Sequence, residues 1–277
     1  STIFSRLGLP APRNAEALER CAAAIREAGA VPALTAVLDG VAHVGVADGE
    51  TDRVLAGETK VGVRDLPVAL AEGWPVGVTT VSATVALAAR VGVGVFATGG
   101  IGGVHADVAE TGDVSSDLGA IARHPVVTVC AGAKAFLDVG RTLERLETLG
   151  VPVLVLGADE FPAFYSRRSG FPAPRRVDSV EEVAAVVRAA RELGTGGVLL
   201  AVPIPQADEL PRDALDAAIV EAEEAAATAG VRGADVTPFV LERIAAATGG
   251  RAVDANLALA EHNARIAAQL ARALLRS

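Results

Sequence analysis

Four glycines in one short stretch are the first residues of this sequence that indicate a binding function. Residues 98–105 are TGGIGGVH and follow the apolar run over residues 91–97. Glycine lets the backbone turn sharply and present several N–H groups to one anion, and ligands bind at the carboxyl ends of parallel strands. Gly99 and Gly100 are therefore predicted to cradle a phosphate, with His105 able to donate to it. A tight turn without a ligand is the alternative.

Lys134 is the second candidate, because a run of apolar and small residues leads directly to it. Residues 126–133 are VVTVCAGA. A lysine in such surroundings loses hydration, which lowers the pKa of its amine and makes it nucleophilic toward carbonyl carbons. The pattern indicates a lysine that forms an imine. The competing interpretation is a lysine in the first turn of a helix over residues 134–149, with its amine in solvent.

Two carboxylates, Asp113 and Asp117, lie between these segments in the sequence GDVSSDLG. One or two carboxylates with water molecules suit Mg²⁺ or Mn²⁺ beside a phosphorylated substrate, whereas zinc prefers a His/Cys cluster that the sequence lacks. Helix capping by Asp113 or Ser115 is the structural alternative. Lys60 is a further candidate cation for a phosphate, against the common case of a solvated surface lysine.

Alternating strand and helix patterns predict how these segments are held. Apolar runs predict strands at residues 31–38, 41–46, 76–81, 91–98, 126–130, 151–156 and 197–202. Helical periodicity predicts helices at residues 14–28, 64–72, 82–90, 134–149, 180–193, 210–229, 238–248 and 254–275. We expect a single α/β domain over residues 1–277, a three-layer α/β/α fold with a largely parallel sheet and C-terminal helices from about residue 210.

Composition limits the class of protein. The 277 residues are 51% hydrophobic, and the net charge of -9 argues against nucleic acid as the main partner, since phosphate backbones require a basic face. The sequence has neither an apolar run of the roughly 20 residues that span a membrane nor a signal peptide. Cys21 and Cys130 are expected to be reduced and packed as small hydrophobes, which favours a cytoplasmic protein.

Several motifs occur in a fixed order along the chain. They are STIFSRLGLPAPRNA at the start, VRDLP at residues 63–67, TGGIGGVH at 98–105, VSSDL at 114–118, VCAGAK at 129–134, LETLGVPV at 146–153, TPFVL at 237–241 and a closing GGRAVDANLALAEHNA. The chain resembles, nearly end to end, the pseudouridine-5'-phosphate glycosidase family, which includes indigoidine-synthase-A-like proteins. The resemblance implies an α/β/α homotrimer with a divalent manganese, and reversible chemistry on a ribose 5-phosphate C-glycoside.

Carried over by motif, the resemblance also implies roles for individual residues. Lys134 would form an imine with C1′ of the ring-opened sugar, and the iminium would draw electrons from the carbon-carbon bond being cleaved. Asp117 would be the metal ligand, and Asn256 on the closing helix would face the aglycone. The expected contacts of the sugar phosphate are Lys60, Thr98, Gly99, Gly100, His105 and Ser115.

The sequence departs from the family's pattern at three places. The family's glutamate, expected to protonate the ring oxygen, directly precedes the segment that is Ser1-Thr2-Ile3 here. We therefore expect either that residues before Ser1 are missing from the numbering or that the chain is catalytically impaired. The family's arginine after GGVH is Ala106, and its Asn-Pro-Ile-Pro is residues 202–205, VPIP. These two losses are expected to weaken recognition of a polar uracil.

Three functions follow as hypotheses. Ala106 and Val202 favour a C-glycosynthase that attaches ribose 5-phosphate to an aromatic aglycone in natural-product biosynthesis, such as that of alnumycin. The alternative within the enzyme class is a degradative pseudouridine-5'-phosphate glycosidase that gives uracil and ribose 5-phosphate. A non-catalytic sugar-phosphate-binding homologue is the alternative from another class. Covalent trapping of ribose 5-phosphate on Lys134 separates the enzymes from the binding protein.

Overall fold

The computed structural model describes residues 1–231 and 236–275, through which strands and helices alternate. The helices are α1 (Arg13–Glu27), α2 (Thr51–Leu55), α3 (Leu66–Ala71), α4 (Val81–Arg90), α5 (Val108–Thr111), α6 (Ser116–Arg123), α7 (Val139–Thr148), α8 (Val180–Leu193), α9 (Arg212–Thr228), α10 (Val236–Ala247) and α11 (Arg251–Leu275). The strands are β1 (Thr35–Leu38), β2 (Val41–Val44), β3 (Lys60–Val61), β4 (Val76–Thr79), β5 (Val95–Ala97), β6 (Val127–Cys130), β7 (Val153–Leu156), β8 (Arg176–Val177) and β9 (Val198–Ala201).

The larger sheet has five strands in the order β5-β6-β9-β7-β8, and its described pairings are all parallel. Its side chains alternate between two covered faces. Val127 and Val129 pack with residues of α8 and α11 on one face. Cys130 and Val153 pack with residues of α4, α6 and α7 on the other. The strands are apolar on both sides because helices cover both faces. The predicted α/β class with a parallel sheet and a helical C-terminal region is confirmed.

A second sheet, which the sequence analysis did not separate from the first, has the order β2-β1-β4-β3. Strand β1 is antiparallel to both β2 and β4, while β3 is parallel to β4. Asp39 and Gly40 join β1 to β2 with φ angles of 49° and 74°, as a two-residue hairpin requires. Hydrophobic runs indicate where strands are, but they do not show which strands pair, so the two-sheet arrangement was not predicted.

Helix α11 connects the layers near the carboxyl ends of β5 and β6. It packs against α1, α8, β5 and β6. Ala264, Ala267 and Ala268 are among its buried residues, and their small side chains allow a close approach. Its two asparagines, Asn256 and Asn263, are also buried, although asparagine is seldom found in a core. Within the described part of the chain, no helix is both long and apolar enough to cross a membrane.

Candidate functional site

The Gly-rich segment and Lys134 lie side by side, because pairing between β5 and β6 continues past the ends of both strands. The N–H of Thr98 donates to the carbonyl of Val129 at 2.9 Å. Further along, Ile101 N–H donates to Gly132 at 3.1 Å, and Lys134 N–H donates to Ile101 at 3.1 Å. The segment predicted to bind phosphate and the lysine predicted to form an imine therefore belong to one wall of the site.

Lys134 lies in the turn that precedes α7. The prediction of a helix from residue 134 is wrong, because α7 begins at Val139, where the Asp138 side chain caps it by accepting the N–H of Arg141 at 2.8 Å. The lysine is half-buried and lines a cleft of about 1440 Å³. Burial lowers the pKa of its amine; the charge of Asp117 opposes that shift and the charge of Lys60 adds to it. The amine is therefore neutral more often than an ordinary lysine.

Lys60 reaches the same cleft from the other sheet. It lies on β3 of the second sheet and is half-buried. It lines the same cleft as the Gly-rich segment, which follows β5 of the larger sheet. The sequence has 25 lysines and arginines in total, and only Lys60 and Lys134 are lysines. This scarcity is a signal that the sequence analysis missed, since surface cations of this chain are arginines and both lysines line one cleft.

Asp117 ties three segments of the site together. It is buried, and its two carboxylate oxygens accept N–H groups from Ser82 and Gly102, each at 2.9 Å. Ser82 lies in the first turn of α4, Gly102 in the Gly-rich segment and Asp117 in the first turn of α6. A Cβ on Gly102 would lie 2.2 Å from Ser115 Oγ, so only glycine fits at this close approach. Ser115 lines the cleft and also caps α6, accepting the N–H of Asp117 at 3.2 Å.

His105 and Asp113 lie together where the Gly-rich segment ends. The His105 N–H donates to the carbonyl of Asp113 at 3.2 Å, and its Nε2 lies 3.8 Å from Oδ2 of the same residue. The imidazole also packs against Phe136, with ring centroids 6.0 Å apart. Both residues are partly exposed and line the cleft. Asp113 does not cap a helix, so its carboxylate remains available to a ligand.

Two asparagines of α11, seven residues apart and therefore on one helix face, contact the turn that follows β5. Asn256 lines the cleft, and its buried Oδ1 has no hydrogen-bond partner among the described residues. A Cβ on Gly99 would lie 3.2 Å from that oxygen. Asn263 is fully buried, and its Nδ2 donates to the carbonyls of Thr98 at 2.9 Å and Gly99 at 3.3 Å. The sequence analysis gave Asn263 no role.

Two of the three places where the sequence departs from the family's pattern do not line the cleft. Ala106 is exposed, Val202 is buried in the core beneath α8 and α11, and neither lines the cleft. In this chain neither side chain forms part of the cleft wall, and the effect of the two losses on recognition of uracil stays a prediction. Ser1 does lie at the cleft, where the N–H of Thr79 donates to Ser1 Oγ at 2.9 Å. A residue joined to Ser1 on its amino side would start from this wall.

The carboxylates of the cleft fit a hydrated divalent cation better than a metal enclosed by side chains. Among residues 1–231 and 236–275, no three His, Cys, Asp or Glu side chains converge as a metal cluster. Each oxygen of Asp117 keeps a lone pair beyond its N–H bond, and Asp113 offers a second carboxylate on the wall of the same cleft. Mg²⁺ and Mn²⁺ accept such oxygen ligands, and Mg²⁺ in particular retains several waters when bound by one or two carboxylates.

The fold and the cleft belong to a class of α/β enzymes that act on glycosidic bonds, as comparison with known proteins shows. The model of the family described as indigoidine synthase A like protein matches residues 1–273, and the chain belongs to this family. A pseudouridine-5'-phosphate glycosidase of Methylobacterium nodulans is 50% identical over 99% of this chain and 82% of its own length. One from Myxococcus xanthus is 49% identical over 98% of this chain and 90% of its own.

Solved structures agree with the family assignment. The prealnumycin C-glycosynthase AlnA, crystallised in complex with ribulose 5-phosphate, is 36% identical with a TM-score of 0.87, over 94% of this chain and 86% of its own. An indigoidine synthase A (IdgA)-like protein from Thermotoga maritima is 36% identical with a TM-score of 0.89, over 98% of this chain and 89% of its own. The resemblance stated from the motifs is confirmed.

Proposed function

We propose that this chain cleaves pseudouridine 5'-phosphate into uracil and ribose 5-phosphate. The observation that carries the proposal is the half-buried amine of Lys134 next to the Gly-rich segment, within one cleft. Relatives at 48–50% identity over nearly the whole chain bear the name of this glycosidase. The similarity favours the degradative hypothesis over the C-glycosynthase hypothesis, which was preferred from the sequence.

Lys134 supplies the nucleophile in this mechanism. Its neutral amine attacks C1′, and the ring oxygen leaves with a proton, which opens the sugar. The nitrogen lone pair then expels the base: the C1′–C5 bond breaks, its electron pair goes to C5 of uracil, and C5 takes a proton. The resulting iminium at C1′ is hydrolysed by one water molecule, which releases the aldehyde of ribose 5-phosphate and the free amine. The lowered pKa of Lys134 increases the neutral fraction that can attack.

The phosphate end of the substrate is assigned to the Gly-rich wall and to Lys60. Backbone N–H groups of Gly99 and Gly100, with the cation of Lys60, provide the donors that a phosphate needs. Thr98, His105 and Ser115 complete the polar lining of the cleft near that end.

Asn256 is assigned to the base, and its geometry favours uracil. Its buried Oδ1 faces the Gly99 turn without a donor among the described residues. Uracil carries two N–H groups that can supply the missing hydrogen bond. An aromatic aglycone without an N–H would leave this oxygen unpaired, at a cost of about 1–3 kcal/mol.

A glutamate joined to the amino side of Ser1, where the family resemblance has one, is proposed as the donor of the proton to the ring oxygen. Because Ser1 is hydrogen-bonded to Thr79 on the cleft wall, a glutamate joined there would start next to the site. The protein that begins at Ser1 should trap ribose 5-phosphate yet release little uracil. The protein that carries Glu before Ser1 should do both.

Asp117 is proposed to hold Mn²⁺ or Mg²⁺, with Asp113 as a second carboxylate within reach. A cation bound there would neutralise part of the substrate's phosphate charge. The assembly is proposed to be a homotrimer, as the family resemblance implies. Light scattering on the eluted protein should then give three times the mass of the chain.

The test uses pseudouridine 5'-phosphate with the protein that carries the preceding glutamate and with Mn²⁺. Release of uracil, followed by chromatography, is expected. Cyanoborohydride with ribose 5-phosphate should add one sugar phosphate to the intact mass. The adduct should persist in Lys60→Arg and disappear in Lys134→Arg. Binding of ribose 5-phosphate with neither an adduct nor release of uracil would support the non-catalytic homologue instead.

The similarity to AlnA favours a C-glycosynthase as the second candidate. Both candidates require Lys134, so the aglycone separates them. The synthase would be favoured if ribose 5-phosphate couples to an aromatic acceptor at least as fast as it couples to uracil. We expect coupling to uracil to be faster, because of the unpaired Asn256 oxygen.

A further inference from the structure

The hydrogen-bond ladder between β5 and β6 changes at Thr98. In regular parallel pairing, a residue that donates to one partner residue accepts from the residue two positions further along. Thr98 donates to Val129, so its carbonyl would accept the N–H of Ala131. Instead, Ala131 N–H donates to the carbonyl of Gly99 at 2.8 Å. The carbonyl of Thr98 therefore leaves the ladder where the Gly-rich segment begins.

Asn263 takes over that carbonyl from a distant helix. Its Nδ2 lies 2.9 Å from the carbonyl oxygen of Thr98 and 3.3 Å from that of Gly99. The side chain is fully buried, and one amide group thereby contacts two consecutive peptides. A buried carbonyl that has lost its ladder partner needs such a donor.

The orientation of these carbonyls fixes the orientation of the neighbouring N–H groups. In a planar trans peptide, the carbonyl and the following N–H point in opposite directions. The carbonyl of Thr98, which is held against α11, therefore directs the N–H of Gly99 away from that helix. The carbonyl of Gly99 is shared between Ala131 and Asn263, which fixes the orientation of the Gly100 N–H. Neither N–H donates to another group of the described residues, and both glycines line the cleft.

Phe164 packs on the Gly-rich segment at Gly100. A Cβ on Gly100 would lie 2.6 Å from its ring, and the Phe164 N–H donates to the carbonyl of Ala131 at 3.0 Å. The segment thus has a packing contact at Gly100 and a polar contact at Thr98 and Gly99. Loss of the Asn263 amide would leave the Thr98 carbonyl without a donor, so the Thr98–Gly99 peptide could rotate, while the Gly99 carbonyl would keep its bond to Ala131 and the packing at Gly100 would remain.

We infer that Asn263 is a positioning residue, which holds the Thr98–Gly99 peptide so that the N–H of Gly99 binds the phosphate of the substrate beside the N–H of Gly100. The identity of that substrate rests on the proposed function. Asn263 contacts the backbone and not the reacting atoms, so its effect should appear in ligand affinity and in the dynamics of the Gly-rich segment.

The experiment compares Asn263→Leu, which keeps the size but removes the donor, with two variants of the same helix. Gln269→Leu removes an exposed amide, and Leu270→Ala weakens buried packing away from the cleft. Hydrogen exchange of a peptide covering residues 95–104 is measured without ligand, and the Kd of ribose 5-phosphate by calorimetry. Asn263→Leu should raise both the exchange rate and the Kd at least tenfold, while both controls stay within about twofold.

An exchange rate and a Kd that stay at the wild-type values in Asn263→Leu would overturn the inference, and so would equal changes in Leu270→Ala. If Asn263→Leu does not fold, Asn263→Ser provides the test, and wild-type values in that variant would overturn it equally. The exchange measurement needs no ligand. A wild-type protein that does not bind ribose 5-phosphate would therefore count against the proposed function, while the exchange rates still decide whether Asn263 holds the segment.

Discussion

The carboxylate of Asp117 accepts the backbone N–H of Gly102 at 2.9 Å, across a separation of 15 residues. The candidate metal ligand is thus bonded directly to the segment assigned to the phosphate. A second N–H, from Ser82, occupies its other oxygen. Removal of the Asp117 carboxylate should therefore disturb the Gly-rich segment even without a cation, so a structural effect and a metal effect must be measured separately.

Asp117→Asn and Asp113→Asn should separate those effects. In Asp117→Asn one of the two carboxylate oxygens becomes an NH2 group, so one of the two backbone N–H donors loses its acceptor. We therefore expect the free energy of unfolding to fall by about 1–3 kcal/mol. The partly exposed Asp113→Asn should change that free energy by less than about 0.5 kcal/mol. Denaturant unfolding measures stability, and electron paramagnetic resonance measures the Kd of Mn²⁺. Wild-type Mn²⁺ affinity in Asp117→Asn together with lost affinity in Asp113→Asn would make Asp113 the ligand.

Imine formation should not require strongly alkaline pH. Burial and the charge of Lys60 lower the pKa of Lys134, so the reactive neutral amine should accumulate below the ordinary lysine pKa of about 10.4. Adduct formation, followed by intact mass as a function of pH, should reach its plateau below that value. Lys60→Gln removes a positive charge, raises the pKa of Lys134 and should move the curve to higher pH. Curves that overlap for the two proteins would contradict this account.

Replacement of Asn256 should weaken recognition of the base and leave the reaction of Lys134 with ribose 5-phosphate unchanged. Asn256→Leu removes the unpaired buried acceptor, and we expect kcat/KM for pseudouridine 5'-phosphate to fall roughly 5- to 160-fold, which corresponds to about 1–3 kcal/mol for a base N–H left without a partner. Trapping of ribose 5-phosphate on Lys134 should stay near the wild-type rate. Gln269→Leu, an exposed amide on the same helix, is the matched control. Unchanged kcat/KM in Asn256→Leu would show that Asn256 does not bond to the base.

Both cysteine thiols should be unreactive toward thiol reagents in the folded protein. Cys21 and Cys130 are buried and free, and burial raises the pKa of each to about 12. At pH 8 a thiol reagent should label neither residue until denaturant is added, after which both should react. In the unfolded chain the thiols ionise near roughly pH 8.5, whereas in the folded protein they stay protonated. The free energy of unfolding should therefore fall as the pH rises above about 8.5. Fast labelling of the native protein would refute the burial of these residues.

The sequence predicted those parts of the site that depend on local patterns. The apolar run before Lys134 and the glycines after Thr98 both marked strand ends, and strands that pair in parallel bring such ends together. The helix expected from residue 134 failed because Asp138 is a strong cap, so α7 starts only at Val139. The strand expected from residue 31 begins at Thr35, since Pro32 lacks the N–H that a ladder needs.

The remainder depends on contacts between segments far apart in the chain. Asn263 meets Thr98 across 165 residues, and only the docking of α11 on β5 reveals the bond. The carboxylate of Asp117 was noticed for its charge, whereas its two N–H partners follow from the packing of α4 and α6. Ala106 and Val202 were weighed as pocket residues because of their motifs, yet their side chains lie outside the cleft.

The presence of lysine only at positions 60 and 134 has a practical consequence for work on this protein. Succinimidyl esters and similar reagents usually react with many surface lysines of a protein. In this chain both lysine amines that they can modify line the cleft. Dye labelling or coupling to a sensor chip would thus act as an affinity probe. A bound sugar phosphate should protect Lys60 and Lys134 from such reagents, so the labelling yield at these two positions could report occupancy.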